Sequence, residues 1–226
     1  MRLNAFVVAI AAIMLALFFT AEAAVQKPLP AFKCARLKYS GGGDWYNDPS
    51  AVPNLMDYIR RTTGIAAPAK EETVEAGSPN IFQYPFVFMT GHGNVKFSEA
   101  ELDNLRKYLQ AGGFIYVDDD YGMDKSFRRE VARLFTGMNL VELPYTHPIY
   151  TQFYKFPQGL PKVHEHDGKP PSGYGLYYNE RLVMYYTVET NPSDGWANAD
   201  AHNDPPEKRD EAFRIGTNIV LYAITH

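Results

Sequence analysis

The sequence predicts an α/β fold in which a mostly parallel sheet is covered by helices on both faces. Residues 84–89 and 114–117 are apolar runs bounded by turn formers, as is typical of strands buried on both faces. The helix between them begins with Ser98 and Glu101, a capping-box pair, and ends at Gly112. Strands that alternate with helices favour a parallel sheet.

The remaining elements follow the same alternation along the chain. The predicted strands cover residues 32–39, 84–89, 114–117 and 140–143, and the predicted helices cover 52–63, 98–111, 124–135 and 207–223. Asp124 is the predicted cap of the third helix. Residues 155–172, rich in Pro, Gly and His, predict a long loop, and residues 174–178 and 182–188 flank Asn179-Glu180 and predict a hairpin.

The N-terminus predicts a secretory signal peptide. Arg2 precedes an almost purely apolar run at residues 5–19, and Ala21-Glu22-Ala23 follows as a small-x-small cleavage pattern. A membrane anchor is the alternative, but a spanning helix needs about 20 apolar residues and this run is shorter. We therefore expect a signal peptide at 1–23, a tether at 24–31 and one domain at 32–226, exported to the periplasm or cell envelope without a stable membrane span after cleavage.

Composition argues against two classes of function. The net charge is −4, whereas a nucleic-acid-binding protein is expected to carry an excess of basic residues. The single cysteine, Cys34, lies in a predicted strand without the flanking glycines of a nucleophile elbow, and the chain has no G-x-S-x-G pattern. Thiol and serine hydrolases are therefore disfavoured.

Four polar, glycine-containing segments follow predicted strands, at residues 41–45, 90–94, 118–122 and 144–147. Ligands of open parallel sheets bind in the crevice beyond the carboxyl ends of the strands. For any one loop, the alternative is that Gly and Asp serve only as turn formers. The candidate ligand-binding residues are Asp44, Trp45, Gly91, His92, Gly93, Asp118, Asp119 and His147.

Three consecutive carboxylates at residues 118–120 need a cation, a shared proton or solvent nearby, because like charges raise one another's pKa. We expect one of Asp118 and Asp119 to serve the site, as a catalytic candidate together with His92. Asp120 is expected to cap a turn or face water.

The run His164-Glu165-His166-Asp167 is the most ligand-like sequence for a divalent metal ion. Residues two apart in an extended segment point the same way, so His164 and His166 can grip one ion with Asp167 as ligand or orienting group. A lone H-x-H pattern also recurs by chance in loops. We therefore expect a metal site here, and the alternative is that these three polar residues share no ligand.

Several stretches together resemble the domain-of-unknown-function family numbered 4159. They are Arg36-Leu37-Lys38-Tyr39, Gly41-Gly42-Gly43-Asp44-Trp45-Tyr46, Tyr84-Pro85-Phe86, Thr90-Gly91-His92-Gly93, Gly112-Gly113-Phe114, Asp118-Asp119, His147-Pro148-Ile149-Tyr150 and the run from His164 to Pro171. The family is placed among class I glutamine-amidotransferase-like folds. The resemblance therefore implies a flavodoxin-like three-layer sandwich, here with a C-terminal hairpin and helix.

The resemblance also implies a correspondence of site residues. The turn at residues 90–93 looks like the one that helps build the amidotransferase oxyanion hole, and Asp118-Asp119 stand where the cysteine elbow is expected. Glutamine hydrolysis should therefore be absent.

Three functions are consistent with these patterns. The first is a non-catalytic domain that binds a small polar molecule, a sugar or an envelope protein, with aromatic residues such as Trp45 and Tyr46 at its surface. The second is a metal-assisted hydrolase that uses Asp and His at the strand ends. The third is a scaffold for an envelope complex.

Overall fold

The computed structural model describes residues 31–226, so the predicted signal peptide and nearly all of the predicted tether lie outside the described residues. The strands are β1 Cys34–Lys38, β2 Glu72–Glu75, β3 Phe86–His92, β4 Phe114–Tyr121, β5 Val141–Glu142, β6 Ser172–Tyr178 and β7 Arg181–Val188. The helices are α1 Ala51–Thr63, α2 Glu99–Gln110, α3 Asp124–Leu134, α4 Pro192–Trp196, α5 Ala199–His202 and α6 Pro206–Thr225. Two 3₁₀ turns occupy Pro79–Gln83 and Pro148–Tyr150.

The strands form one sheet in the order β2-β1-β3-β4-β7-β6-β5. Six of the seven strands run in the same direction, and β6 alone runs in the opposite direction. Strands β6 and β7 form the predicted hairpin. The order 2-1-3-4 is that of flavodoxin-like sheets, which change direction of winding between β1 and β3. The predicted mostly parallel sheet is confirmed, and the crevice expected to bind ligands lies where β1 and β3 end.

Two apolar cores, one on each face, make the fold three-layered. On one face, Leu55 and Ile59 of α1 are fully buried in a core that includes Phe88 of the sheet and Ile219 of α6. On the other, Leu105 of α2 and Phe127 of α3 share a core with alternate sheet residues. Each central strand contributes side chains to both cores, because successive side chains of a strand point to opposite faces of the sheet. Across residues 31–226, no helix has both the length and the apolar character needed to cross a membrane.

The predicted elements differ from the structure in several places, and helices α4 and α5 were not predicted. β4 was expected to end at residue 117 but continues to Tyr121, which carries the three aspartates into the sheet. The strand predicted at 140–143 contracts to two residues. β2, with the sequence Glu-Thr-Val-Glu, escaped prediction because only Val74 is apolar and buried. Its charged side chains suit the sheet edge that it occupies.

Candidate functional site

A buried arginine holds the β1–α1 loop over the carboxyl ends of β1 and β3. Arg36 is 2% exposed, and its guanidinium donates hydrogen bonds to the backbone carbonyls of Trp45, Asn47 and Asp48. Its Nε forms an ion pair with Glu71 at 3.0 Å. Since Arg36 lies within β1, the sheet itself fixes the backbone of residues 45–48.

The turn after β3 is packed against this loop. A Cβ at Gly91, whose φ is +144°, would overlap the Tyr39 hydroxyl and approach Asp44 Oδ1, so glycine here is required by packing. The His92 amide donates to Asp44 Oδ1, and the Gly93 amide donates to the Tyr121 carbonyl at 3.3 Å. These two amides of the turn at residues 90–93 are therefore used within the protein.

His92 lies at the centre of the crevice with 48% of its side chain exposed. Its Nδ1 is 3.0 Å from Asp44 Oδ2 and 3.4 Å from Asp120 Oδ2. Burial alone would raise the pKa of Asp44, but hydrogen bonds from the His92 backbone and ring hold that pKa below its ordinary value. Asp44 is thus an ionised carboxylate that orients the imidazole.

Asp118 and Asp119 are committed to structural contacts. Asp118 is fully buried and accepts hydrogen bonds from the Thr187 hydroxyl and from the amide and hydroxyl of Ser193; burial raises its pKa to about 7. Asp119 accepts the amides of Met123 and Asp124 at 2.8 and 3.1 Å, and burial raises its pKa to about 6. It is therefore Asp119 that caps α3, and the predicted cap at Asp124 is wrong.

The third aspartate is buried and contacts His92 from within the domain. Asp120 was expected to cap a turn or to face water, but it is 2% exposed and its carboxylate accepts hydrogen bonds from the side-chain amides of Asn47 and Asn191. The expectation is wrong because β4 stays in the sheet through this residue while the β1–α1 loop and the segment after β7 cover it. Together with His92, Asp120 joins the two halves of the crevice.

The segment after β7 adds a second group of polar residues. The Asn191 side-chain amide lies 2.9 Å from His166 Nε2 and 3.4 Å from Asp194 Oδ2. Asp194 lies 3.9 Å from His202 Nδ1, and His202 Nε2 lies 2.8 Å from Asp48 Oδ1. Burial and neighbouring carboxylates, that of Asp120 first among them, raise the pKa of Asp194 well above its ordinary value.

The three residues of the expected metal site lie near this group but point to different partners. His166 stacks on Tyr121 with ring centroids 4.5 Å apart, and His164 Nδ1 lies 3.5 Å from Asp204 Oδ1. The Asp167 carboxylate contacts Lys169 and the Tyr121 hydroxyl. Among residues 31–226, the group whose donor atoms come close enough for one ion is instead Asp48, Asp194 and His202.

His147 lies away from the crevice and apart from the other candidate ligand-binding residues. Its Nδ1 accepts a hydrogen bond from the Ile149 amide, and its ring packs on Tyr222 at 5.3 Å between centroids. Tyr222 packs on Phe114, the first residue of β4, whereas the crevice lies at the other end of that strand. The 3₁₀ turn that His147 caps carries the chain back toward α6.

Sequence patterns missed five site residues: Asn47, Asp48, Asn191, Asp194 and His202. His202 and Asp48 are 154 positions apart, and only the fold brings them together. The sole signal was the polar run of residues 202–204 before two prolines.

These features define a class of protein: a three-layer α/β domain with a connected group of acidic and histidine side chains at the carboxyl edge of its sheet. The family model described as Domain of unknown function (DUF4159) matches residues 33–224, and the chain belongs to that family. No curated protein matches the chain.

Proposed function

We propose that this chain is an exported, amidotransferase-like domain without the catalytic cysteine, and that its crevice binds a small polar ligand of the carbohydrate class. The observation that carries the proposal is a continuous network of polar side chains, from Asp44 through His92 and Asp120 to Asn191, beside exposed aromatic rings. Tyr46 is 64% exposed and Tyr121 is 48% exposed.

The chemistry of the crevice favours hydroxyl groups over anions. Its carboxylates accept hydrogen bonds, and a neutral polyol supplies donors without adding negative charge. Flat aromatic side chains present apolar faces with polar edges, which suit a ring that is apolar on one face and hydroxylated at its rim. An envelope protein that presents the same chemistry is the alternative occupant.

The thiol supports a binding role over cysteine chemistry. Cys34 is 2% exposed at the first position of β1, whereas the crevice lies beyond the last. Burial raises the pKa of its thiol to about 12, with further contributions from Glu71 and Glu72. A thiol of this kind is not a nucleophile at neutral pH, since the thiolate is the reactive form.

The experiment is a glycan-array screen of the protein made from the full chain, followed by calorimetry with any glycan retained, all in the presence of EDTA. Tyr121→Ala is expected to weaken binding by roughly tenfold or more, as removal of an aromatic anchor does. Tyr145→Ala is the matched control, because Tyr145 is 49% exposed but belongs to the segment that leads to His147. Equal loss in both variants, or no retained glycan, would overturn the proposal.

A second candidate is the metal-assisted hydrolase. It is favoured by one observation: an exposed imidazole whose Nδ1 is held by Asp44, the arrangement in which a histidine acts as general base. On this hypothesis His92, rather than Asp118 or Asp119, would face the substrate, and the buried Asp120 would act through its contact with His92 Nδ1. Turnover of ester, amide or glycoside substrates that is lost in His92→Gln would favour this candidate over binding alone.

A further inference from the structure

Three side chains from separate segments converge behind the crevice. Asp48 comes from the β1–α1 loop, Asp194 from α4 and His202 from the end of α5. One donor atom of each lies within 4.8 Å of the other two. Transition-metal bonds to nitrogen and oxygen are about 2.0–2.2 Å long, so two atoms on one ion lie roughly 3–4 Å apart, and small side-chain movements would bring these three atoms to that separation.

Buried oxygen atoms around this group lack hydrogen-bond donors. Asp194 is 3% exposed and Asn191 is fully buried, and Oδ1 of each accepts no hydrogen bond from any side chain or amide of residues 31–226. Within the same residues Asp48 Oδ2 likewise accepts no hydrogen bond, and the Asp48 side chain is 10% exposed. A buried acceptor without a donor destabilises the folded state, and a charged acceptor does so more strongly. An electropositive group in this place would offset that cost.

We propose that Asp48, Asp194 and His202 hold a divalent transition-metal ion. Two carboxylates and one imidazole combine the oxygen donors suited to Mn²⁺ with the nitrogen donor suited to Zn²⁺. Three protein ligands leave further coordination positions open, as in catalytic rather than structural zinc sites. The proposal goes beyond carbohydrate binding, which needs no metal.

The charge distribution favours a cation over water alone. Asp48 and Asp194 place carboxylate oxygens within 4.8 Å of each other, and the Asn191 side-chain amide contacts both Asp194 and a third carboxylate, that of Asp120. Water donates hydrogen bonds but carries no net charge, whereas a divalent ion contacts the carboxylate oxygens and also compensates their negative charge. The ion would also tie the β1–α1 loop to the C-terminal segment, so its binding should stabilise the fold.

The test is calorimetric titration of the chelator-treated protein, made from the full chain, with Zn²⁺ and separately with Mn²⁺. We expect one ion per chain and a rise in Tm on binding, since a ligand that binds only the folded state stabilises it. Asp194→Asn and His202→Gln are each expected to weaken binding by at least about tenfold. The matched controls Asp167→Asn and His147→Gln, an aspartate and a histidine outside the group, should bind as the wild type does.

Two outcomes would overturn the site: no saturable metal binding by the wild type, or binding that Asp194→Asn and His202→Gln leave intact. If a variant fails to fold, ¹⁵N spectra of the wild type decide instead, because zinc must shift the ring nitrogens of His202 and not those of His147. Glycan binding in EDTA is independent of this result. A failed metal site therefore leaves the proposed ligand site standing, and the reverse also holds.

Discussion

Gly91 and Gly93 flank His92, and their surroundings differ although both have positive φ. A Cβ at Gly91 would overlap the Tyr39 hydroxyl and press on Asp44, whereas a Cβ at Gly93 would meet open space. A substitution at Gly93 therefore tests only the cost of a side chain in a left-handed conformation, whereas one at Gly91 adds the cost of steric overlap. Both were predicted to serve a ligand, and for Gly91 packing is a sufficient reason.

Gly93→Ala is expected to lower the free energy of unfolding by about 1–2 kcal/mol, the cost of a left-handed conformation with a side chain. Gly91→Ala should cost more, by a further 1–3 kcal/mol or so, because overpacking adds to the backbone strain. Urea unfolding of both variants measures the difference. Equal losses would mean that the Tyr39 and Asp44 side chains move aside at little cost.

At the scale of elements, periodicity and capping residues sufficed wherever local chemistry decides the structure. The Ser98–Glu101 capping box forms as predicted, and the apolar face of α1 is buried as its pattern requires. Prediction failed where the deciding partner is distant in sequence. Asp120 is buried because the side chains of Asn47 and Asn191 hydrogen-bond to it. His147 lies away from the crevice because its ring packs on Tyr222 of α6.

The cap of α3 is a prediction that belongs to this scale. Asp119→Ala is expected to lower the free energy of unfolding by about 0.5–2 kcal/mol, because the first-turn amides of α3 lose their acceptor. Hydrogen exchange should then accelerate at Met123 and Asp124. Asp103→Ala, at an exposed position of α2, is the control and should leave those amides protected. Unchanged exchange in Asp119→Ala would mean that the cap contributes nothing.

For the whole molecule, stability depends on pH through carboxyl groups buried in the domain. Burial raises the pKa of Asp118 to about 7, against the opposing effect of hydrogen bonds from Thr187 and Ser193. An acid whose folded-state pKa exceeds its unfolded value binds a proton on folding, so its contribution to stability falls as the pH rises between the two values. For Asp118 this window runs from about pH 4 to about pH 7.

Asp118→Asn should therefore flatten the dependence of unfolding free energy on pH across that window, by up to roughly 4 kcal/mol for a shift of this size. The amide can still accept from the Ser193 backbone through its oxygen and donate to Thr187 through its nitrogen, so the variant should fold. Asp57→Asn is the contrasting control, because hydrogen bonds from Arg61 and Arg60 lower the pKa of Asp57. Its wild-type contribution is lost only as the pH falls below about 4. Parallel wild-type and Asp118→Asn profiles between pH 4 and pH 7 would show that Asp118 stays ionised in the folded protein.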